Sequence, residues 1–376
     1  MDKVKRLIMC HLETSICNFR CSYCYLTHRG ESYKGKQTHF KYSPEHVGKA
    51  FSVERLGGIC YFNFCAEGET LLTKNIEAYI NVVVKQGHYA EIVTNMVITP
   101  VIDKILSWNS DLLSRIEFKC SLHYIELLER DLLEVFAENV NKAYNAGASV
   151  CIEAMPCDEL IPYIEDLKKY SLDNFGAYPQ LSIARNDGTK NIDYLTDLSQ
   201  KEYQETWEQF NSPLWEFKRT IFKEKRREYC YAGKYALFVN LADGYTRQCY
   251  VSLYHQNIFK NLKKPISLVP IGYCLLPHCY NGHAYLSRGL VPGKFSNVVY
   301  GRDLRSRTRK DGSEWLHEKV MTFFNSRVDE LDIEISGFKK IKYSIINVFG
   351  PLSWNYIWVA KKAKRSLLKS KKRIKK

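Results

Sequence analysis

Three cysteines lie close together near the start of the chain, in the segment Cys17-Asn18-Phe19-Arg20-Cys21-Ser22-Tyr23-Cys24-Tyr25. Three residues separate the first pair and two separate the second, and an aromatic residue flanks the last cysteine on each side. Three thiolates in so short a segment can bind three of the irons of a cubic [4Fe–4S] cluster. The fourth iron then has no protein ligand and can bind and reduce a small molecule. Cys17, Cys21 and Cys24 therefore predict a cluster with an open iron.

Two other uses of these cysteines have to be weighed. Zinc would need a fourth ligand elsewhere, and zinc sites more often show pairs of cysteines separated by two to four residues. A disulfide network fits poorly, because the thirteen cysteines are an odd number. Only Met1-Asp2-Lys3-Val4-Lys5-Arg6 precedes the first apolar run, which is too short for a secretory signal. We therefore expect a reducing, cytoplasmic compartment.

The first 185 residues alternate short apolar runs with longer amphipathic ones, which predicts parallel βα units. We expect the fold to be α/β, a partial (β/α)6 TIM-like barrel. In a βα barrel the chemistry lies where the strands end, and the cysteine loop follows the first predicted strand. The predicted strands are 7–12, 59–64, 90–94, 116–122, 149–155 and 180–184, and the predicted helices are 44–56, 76–85, 101–108 and 126–145.

The cysteine spacing, placed after a first strand, resembles that of radical S-adenosylmethionine (radical SAM) enzymes over about residues 5–190. The resemblance implies that the amine and carboxylate of S-adenosylmethionine chelate the open iron. It also implies that one electron cleaves the sulfonium to methionine and a 5′-deoxyadenosyl radical, which abstracts hydrogen from a substrate. An electron donor such as flavodoxin or ferredoxin is then a required partner.

A second motif follows the second predicted strand, in Cys65-Ala66-Glu67-Gly68-Glu69-Thr70. It is similar to the family's Gly-Gly-Glu motif, whose glutamate accepts a hydrogen bond from the S-adenosylmethionine amine. Gly68 and Glu69 match, and a glycine lets the backbone approach a ligand closely. Glu67 stands where the family usually has its first glycine. The alternative is an acidic helix start, which is common.

Further cofactor contacts are implied only by the resemblance. Thr94 and Asn95 end the third predicted strand and resemble the family's Thr-Asn-Gly. Ser121, near the end of the fourth, matches a polar residue that approaches the ribose or carboxylate of the cofactor, or is an ordinary strand-end hydroxyl. Arg185 is a candidate for the cofactor or an anionic substrate, or is a solvated arginine. Tyr23 matches an aromatic near the adenine, or packs beneath the cluster.

A second cysteine group lies downstream, at Cys230, Cys249, Cys274 and Cys279. Asp243-Gly244 predicts a hairpin turn between the first two. The arrangement resembles the auxiliary-cluster domain called SPASM, or its shorter form called twitch, which implies an auxiliary [4Fe–4S] cluster. Zinc is the alternative, since four thiolates also suit a closed tetrahedral site.

The net charge of +14 is concentrated at the C-terminus, because residues 361–376 carry ten Lys or Arg and no acid. Aromatic residues precede this basic helical tail, which suits docking on an anionic membrane surface. The alternative is an ordinary solvated terminal helix. No specific nucleic acid is expected, because no RNA-binding motif accompanies the charge. The predicted regions are a core barrel at 1–198, a helical connector at 199–228, a small auxiliary domain at 229–290, and an extension with the tail at 291–376.

The sequence thus predicts a radical SAM enzyme with an unidentified substrate. A peptide or protein is the first expectation, by analogy with auxiliary-cluster relatives, and a sugar or surface-polysaccharide intermediate is the second. A non-enzymatic alternative is a zinc- or cluster-stabilised binding protein whose tail contacts membrane or nucleic acid.

Overall fold

The computed structural model describes most of the chain, namely residues 4–29, 35–189, 192–224, 228–249, 252, 255–274, 279, 282–292, 299–328, 337, 338 and 341. The described part is a mixed α/β structure around a nine-stranded sheet. Its strands are β1 Arg6–Leu12, β2 Cys60–Ala66, β3 Tyr89–Thr94, β4 Ile116–Leu122, β5 Ser149–Ala154, β6 Gln180–Leu181, β7 Arg185–Asn186, β8 Asp193–Tyr194, β9 Tyr229–Cys230, β10 Ala236–Asn240, β11 Tyr245–Arg247, β12 His255–Asn257 and β13 Gly272–Tyr273.

The strand order in the large sheet is β12-β11-β10-β1-β2-β3-β4-β5-β6. The six predicted strands are confirmed as β1 to β6, which pair in parallel and in chain order, although β6 is shorter than predicted. Strand β10 pairs in parallel with β1, and β11 and β12 add antiparallel strands beyond it. The sheet therefore continues into the range 229–290, which is predicted from the sequence to be an auxiliary domain.

The turn between β10 and β11 confirms the hairpin predicted at Asp243-Gly244. Gly244 has φ +78°, and a Cβ added there would lie 2.3 Å from Cγ of Phe259. Both the left-handed backbone and the packing of the Phe259 ring therefore require glycine at this turn.

The two faces of the sheet differ in character, because successive side chains of a strand point in opposite directions. One face carries Ile8, Phe62, Ile92 and Phe118 and packs into the main hydrophobic core. The other, here called the inner face, carries mainly polar side chains. Its buried or half-buried members include Tyr61, Asn63, Cys65, Glu91, Glu117, Lys119, Ser121, Cys151 and Glu153.

The helices connect the strands and pack against both faces of the sheet. They are α1 Tyr25–Arg29, α2 Pro44–Ala50, α3 Val53–Leu56, α4 Ile76–Val84, α5 Thr99–Leu106, α6 Ser110–Leu113, α7 Tyr124–Glu129, α8 Leu133–Asn145, α9 Ile164–Phe175, α10 Gln200–Trp207, α11 Pro213–Ile221, α12 Gly282–Ser287 and α13 Glu318–Phe324. Short 3₁₀ helices occupy Thr70–Leu72, Asp158–Tyr163 and Glu208–Phe210.

Two predicted helices are each divided in the structure. The helix predicted from Pro44 to Leu56 is α2 and α3, because the Ser52 hydroxyl accepts the N–H of Arg55 and starts a new helix. The helix predicted over 126–145 is α7 and α8, with Asp131 between them at φ +56°. The left-handed backbone at Asp131 cannot continue an α-helix.

The segment 299–328 packs against the end of the sheet where the parallel strands begin. Arg305 reaches the inner face, where it contacts Glu117 near the start of β4 and Glu91 on β3. Farther along, the N–H of Val150 donates to the carbonyl of Trp315. This part of the predicted extension therefore belongs to the core structure. The basic tail and the aromatic residues before it lie outside the described residues.

None of the helices in the described ranges is long and apolar enough to span a membrane.

Candidate active site

The predicted cluster cysteines lie in the loop that follows β1. The thiols of Cys17, Cys21 and Cys24 are near enough to affect one another electrostatically. Burial raises the pKa of the Cys17 thiol to about 11, whereas the N–H of Phe19, which donates to Cys17 Sγ at 3.5 Å, favours its thiolate. Burial likewise raises the pKa of the Cys21 thiol. A bound metal would have to offset this burial for the thiolates to persist.

The donor set of this loop can be compared with the needs of a cluster. All thirteen cysteines lie in the described residues, and none forms a disulfide. Across the described ranges, no three His, Cys, Asp or Glu side chains converge closely enough to bind a single metal ion. In a [4Fe–4S] cluster each thiolate binds a different iron, so the thiols surround the cluster and do not meet at a point. Three neighbouring thiols therefore fit a cluster.

The loop after β2 packs directly on the cysteine loop. The N–H groups of Gly68 and Glu69 donate to the carbonyls of Thr14 and Ile16, at 2.7 and 2.9 Å. A Cβ added at Gly68 would lie 2.2 Å from the carbonyl oxygen of Ile16. Glycine is therefore required at this position because two protein backbones approach each other, whereas the resemblance predicted an approach to a ligand.

Glu69 is the centre of a buried hydrogen-bonded group, here called the Glu69 cluster, that also includes Thr94, Asn95 and Asn18. The Thr94 hydroxyl donates to Glu69 Oε1 at 2.7 Å, and the Asn95 N–H donates to Glu69 Oε2 at 2.9 Å. The N–H of Leu71 also donates to Oε1, at 2.9 Å. Three sequence-predicted cofactor residues from two loops are thus brought together.

The Glu69 cluster is connected to the cysteine loop by a side-chain contact. The Asn95 amide nitrogen donates to the amide oxygen of Asn18 at 2.8 Å, and Asn18 directly follows Cys17. The Glu69 carboxylate is also near enough to Cys17 to raise the pKa of its thiol. The candidate metal site and the candidate cofactor site are therefore adjacent.

The Glu69 carboxylate has only neutral hydrogen-bond donors among the residues that the structure describes. Burial raises its pKa, and the donors Leu71, Asn95 and Thr94 only partly oppose that shift. Glu69 is 4% exposed, so solvent water does little to stabilise the negative charge of its carboxylate. A buried carboxylate with neutral donors is well suited to receive a positively charged group of a ligand.

Tyr23 lies on the other side of the cysteine loop. Its hydroxyl is 2.7 Å from Nδ1 of His123, the residue just after β4. Burial lowers the pKa of His123 to about 4, so the imidazole is neutral, and in its Nε2–H tautomer Nδ1 accepts a hydrogen bond from the Tyr23 hydroxyl. The Phe19 ring meets the His123 ring edge-on at 5.9 Å. The structure thus gives Tyr23 a packing and anchoring contact beside the cysteines.

Ser121 and Arg185 lie farther from the Glu69 cluster. Ser121 is half-buried on the inner face and is paired in register with Glu153 of β5. Arg185 forms an ion pair with Asp187 at 2.8 Å, and its guanidinium lies 5.9 Å from the centre of the Tyr25 ring. Arg185 therefore lies beside the cysteine loop, because Tyr25 follows Cys24 directly.

The second cysteine group is also brought together. Cys230 and Cys249 are buried. The thiols of Cys279, Cys274 and Cys249 are near enough to influence the pKa of the Cys230 thiol. Burial is the main reason that the pKa of Cys230 is raised. Strand β9, which contains Cys230, pairs with β13, which ends just before Cys274. The four thiols therefore share a neighbourhood.

No protein-family model matches the chain. No curated protein matches it significantly. The solved structures with limited similarity include Streptococcus suis SuiB bound to S-adenosylmethionine, at 13% identity over 69% of this chain and 64% of SuiB, with a TM-score of 0.46. They also include anSMEcpe with bound AdoMet and Cp18Cys peptide, at 15% identity over 69% and 80% of the two chains, with a TM-score of 0.46.

BtrN in complex with AdoMet and 2-DOIA is a third, at 16% identity over 69% of this chain and 84% of BtrN, with a TM-score of 0.35. The matched region thus spans less than two thirds of SuiB. These identities and TM-scores are too low for the activities or ligands of these proteins to be assigned to this chain.

Several residues of the site are missing from the sequence-based prediction. Asn18 lies between two predicted ligands, and its contact with Asn95 crosses 77 residues of sequence. His123 follows a predicted strand end, which is the usual position of functional residues in βα folds and could have identified it. The ion pair between Lys119 and Glu153 on the inner face, at 2.8 Å, was not predicted, because both residues lie in mainly apolar strands.

Proposed function

We propose that the chain is a radical SAM enzyme in which Cys17, Cys21 and Cys24 hold a [4Fe–4S] cluster. When bound, the cluster supplies one electron to the sulfonium of S-adenosylmethionine, and the resulting 5′-deoxyadenosyl radical abstracts hydrogen from a substrate. The finer form of the fold in this proposal is a partial (β/α)6 barrel, with the cysteine loop at the end where the strands finish.

The Glu69 cluster is the observation that carries the proposal. Four residues from three separate segments of the chain converge beside Cys17, and three of them were predicted to contact the cofactor. In this proposal Glu69 accepts a hydrogen bond from the ammonium of S-adenosylmethionine, which supplies the cation that the carboxylate lacks. Thr94 and Asn95 fix the orientation of that carboxylate. Tyr23, Ser121 and Arg185 are proposed to contact the rest of the cofactor.

The test is anaerobic reconstitution with iron and sulfide, followed by reduction in the presence of S-adenosylmethionine. The proposal expects a brown protein that releases 5′-deoxyadenosine. Cys21→Ser should prevent both, while Cys60→Ser, at a buried cysteine outside either group, should prevent neither. Wild-type protein that binds iron but yields no 5′-deoxyadenosine would contradict the proposed enzymatic activity.

The cofactor contact has its own test in Glu69→Gln, which keeps the side-chain shape but removes the charge. A hydrogen bond to a charged group contributes about 1.5–3 kcal/mol, so the affinity for S-adenosylmethionine should fall roughly tenfold to a hundredfold. Equilibrium dialysis of the reconstituted variant measures this loss. Glu77→Gln, at a half-buried carboxylate of α4 that is paired with Lys104, is the matched control.

We also propose that Cys230, Cys249, Cys274 and Cys279 hold an auxiliary [4Fe–4S] cluster in a SPASM- or twitch-like region. The four thiols influence one another electrostatically, which supports a shared metal site, and zinc is the alternative occupant. Iron counting in Cys230→Ala/Cys249→Ala protein tests this proposal. An iron content equal to that of wild type would contradict the auxiliary cluster, and zinc bound at these cysteines in place of iron would favour a zinc site.

Other parts of the function remain predictions. The substrate is expected to be a peptide or protein, with a sugar or polysaccharide intermediate as the alternative, and the electron donor a flavodoxin or ferredoxin. The four-region division and the contact of the basic tail with an anionic membrane are also retained as predictions. Sedimentation with anionic vesicles at low salt tests the tail, and full-length protein that stays in the supernatant would contradict membrane contact.

A further inference from the structure

Lys218 of α11 differs from the other cations of the inner face in its hydrogen bonding. Its amine donates to the hydroxyl of Ser182 at 2.5 Å, and within the described part of the chain it has no hydrogen-bonded or ion-paired carboxylate. Residue Lys218 as a whole is half-buried, but desolvation of its amine lowers its pKa to about 7. A cation in this position lacks the anion that usually compensates burial.

The neighbouring cations all have such a partner. Lys119 contacts Glu153 at 2.8 Å, Arg185 contacts Asp187 at 2.8 Å, and Arg305 contacts both Glu91 and Glu117. Glu153 also attracts Lys218, but more weakly than Lys119, with which it is in direct contact. The positive charges of Lys119, Arg185 and Arg305 lower the pKa of Lys218, whereas the charge of Glu153 raises it.

Lys218 also lies at the end of the sheet where the candidate active site is. Ser182 directly follows β6, and its N–H donates to the carbonyl of Ala154, which ends β5, at 3.1 Å. Glu153 is paired with Ser121, and it lines a cavity together with His283. The imidazole of His283 is neutral, because burial and the nearby Lys218 lower its pKa. The amine thus lies at the end of the sheet that carries the cysteine loop, and it is near Glu153, which lines that cavity.

We propose that Lys218 and Ser182 bind an oxyanion of the substrate, a carboxylate or a phosphate group. The ammonium and the hydroxyl supply two donors to that group, while the Lys119–Glu153 pair fixes the wall beside it. An oxyanion in direct contact restores the charge compensation that Lys218 lacks. That the ligand is the substrate rests on the proposed function; that an oxyanion binds at Lys218 does not.

The test is competitive labelling of amines in the wild-type, anaerobically reconstituted protein with acetic anhydride, read by mass spectrometry. Sodium phosphate and sodium acetate are compared with sodium chloride at equal ionic strength. A bound anion that raises the pKa of the Lys218 amine by one should slow its labelling about tenfold. Lys201, whose side chain is 84% exposed, should be labelled equally in all three salts.

The outcomes separate the two sources of the oxyanion. Protection by phosphate alone assigns a phosphate group, and protection by acetate alone or by both assigns a carboxylate-accepting site. Equal labelling of Lys218 in all three salts overturns the proposal. Because labelling needs no turnover, it is independent of the radical SAM assay: protein that cleaves no S-adenosylmethionine but shows protection of Lys218 would contradict only the proposed function.

A variant gives a second measurement. Lys218→Met keeps the length and apolar stem of the side chain but removes the amine, so calorimetry should show at least about tenfold weaker binding of the protecting anion. Lys201→Met should bind that anion as wild type does. Equal binding by Lys218→Met would overturn the assignment, and the labelling of wild type decides the question if that variant does not fold.

Discussion

Buried carboxylates at the two ends of the main sheet are stabilised in different ways. At the end where the parallel strands finish, Glu69 accepts hydrogen bonds only from neutral groups among the described residues. At the opposite end, Glu117 and Glu91 contact Arg305 at 2.7 and 2.9 Å, and Tyr61 donates to Glu117. We call Arg305, Glu91, Glu117 and Tyr61 the Arg305 cluster. Both of its carboxylates contact a cation of the protein, whereas the charge of Glu69 is left for a ligand.

This difference separates a structural charge group from a binding one. A buried ion pair with well-placed partners already has its charges compensated, so it holds segment 299–328 on the sheet. A buried carboxylate oriented by backbone N–H groups and a hydroxyl is fixed in place but has not been neutralised. We therefore expect the Arg305 cluster to determine stability and the Glu69 cluster to determine affinity.

The largest expected effect on stability is that of Arg305→Met. Removal of the guanidinium leaves two carboxylates buried without a cation, which should lower the free energy of unfolding by about 3–5 kcal/mol. Urea denaturation measures the loss. Arg302→Met is the matched control, because Arg302 is 51% exposed and its pair with Asp303 should contribute about 0–1 kcal/mol. Equal effects of the two substitutions would contradict the structural role of the Arg305 cluster.

Gly68→Ala should have the next largest effect. The new Cβ would lie 2.2 Å from the Ile16 carbonyl oxygen, so the two loops have to separate. Overpacking of this kind should cost about 1–3 kcal/mol and should weaken binding of S-adenosylmethionine as well. Gly337→Ala, where a Cβ meets nothing within 4 Å, should change stability by less than about 0.5 kcal/mol. Unchanged loop structure and affinity in Gly68→Ala would remove the close approach as a requirement.

A pH titration distinguishes Glu69 from Glu153, whose pKa values move in opposite directions on folding. Burial raises the pKa of Glu69 above 4.5, whereas for Glu153 Lys119 and Lys218 outweigh burial and lower it. Relative to Glu69→Gln, wild type should lose stability as pH rises from 4.5 through the folded pKa. Relative to Glu153→Gln, it should lose stability as pH falls below 4.5. A pKa that differs by one between the folded and unfolded states corresponds to about 1.4 kcal/mol in the free energy of unfolding. Unfolding experiments between about pH 3 and pH 8 measure this difference.

Slopes of the same sign for Glu69→Gln and Glu153→Gln would contradict this distinction. Glu202→Gln is the control for the titration, since Glu202 is exposed at the start of α10 and its contacts are local to the capping box. The effect of Glu202→Gln should be confined to the range near the ordinary carboxyl pKa.

The order of the first six strands could be predicted from the sequence, because each apolar run is short and is followed by an amphipathic segment. The addition of β10 beside β1 could not, since it depends on a backbone pairing across more than 220 residues. The division between α7 and α8 was also missed, because the left-handed backbone at Asp131 has no glycine or proline to mark it. Long-range pairing and local backbone strain were thus the missing information.

In the site, residues that carry a motif could be predicted and residues that complete it could not. Glu69, Thr94 and Asn95 lie at or just after the ends of predicted strands, so their types and positions made them candidates. Lys218 lies on the predicted connector, where lysines are common and an exposed side chain is the default expectation. Only the packing of α11 against the end of β6, seen in the contact with Ser182, brings its amine to the inner face.

Tyr23→Phe should have the smallest effect, because it removes one hydroxyl beside the cysteine loop and no charge. Loss of the contact with His123 Nδ1 should cost about 0.5–1.5 kcal/mol in the free energy of unfolding. Nitrogen NMR shifts should show the proton of neutral His123 on Nε2 in wild type and a mixture of tautomers in the variant. Tyr245→Phe, at a tyrosine that is 37% exposed, is the control. A loss comparable to that of Arg305→Met would mean that uncharged contacts hold the cysteine loop as firmly as ion pairs hold segment 299–328.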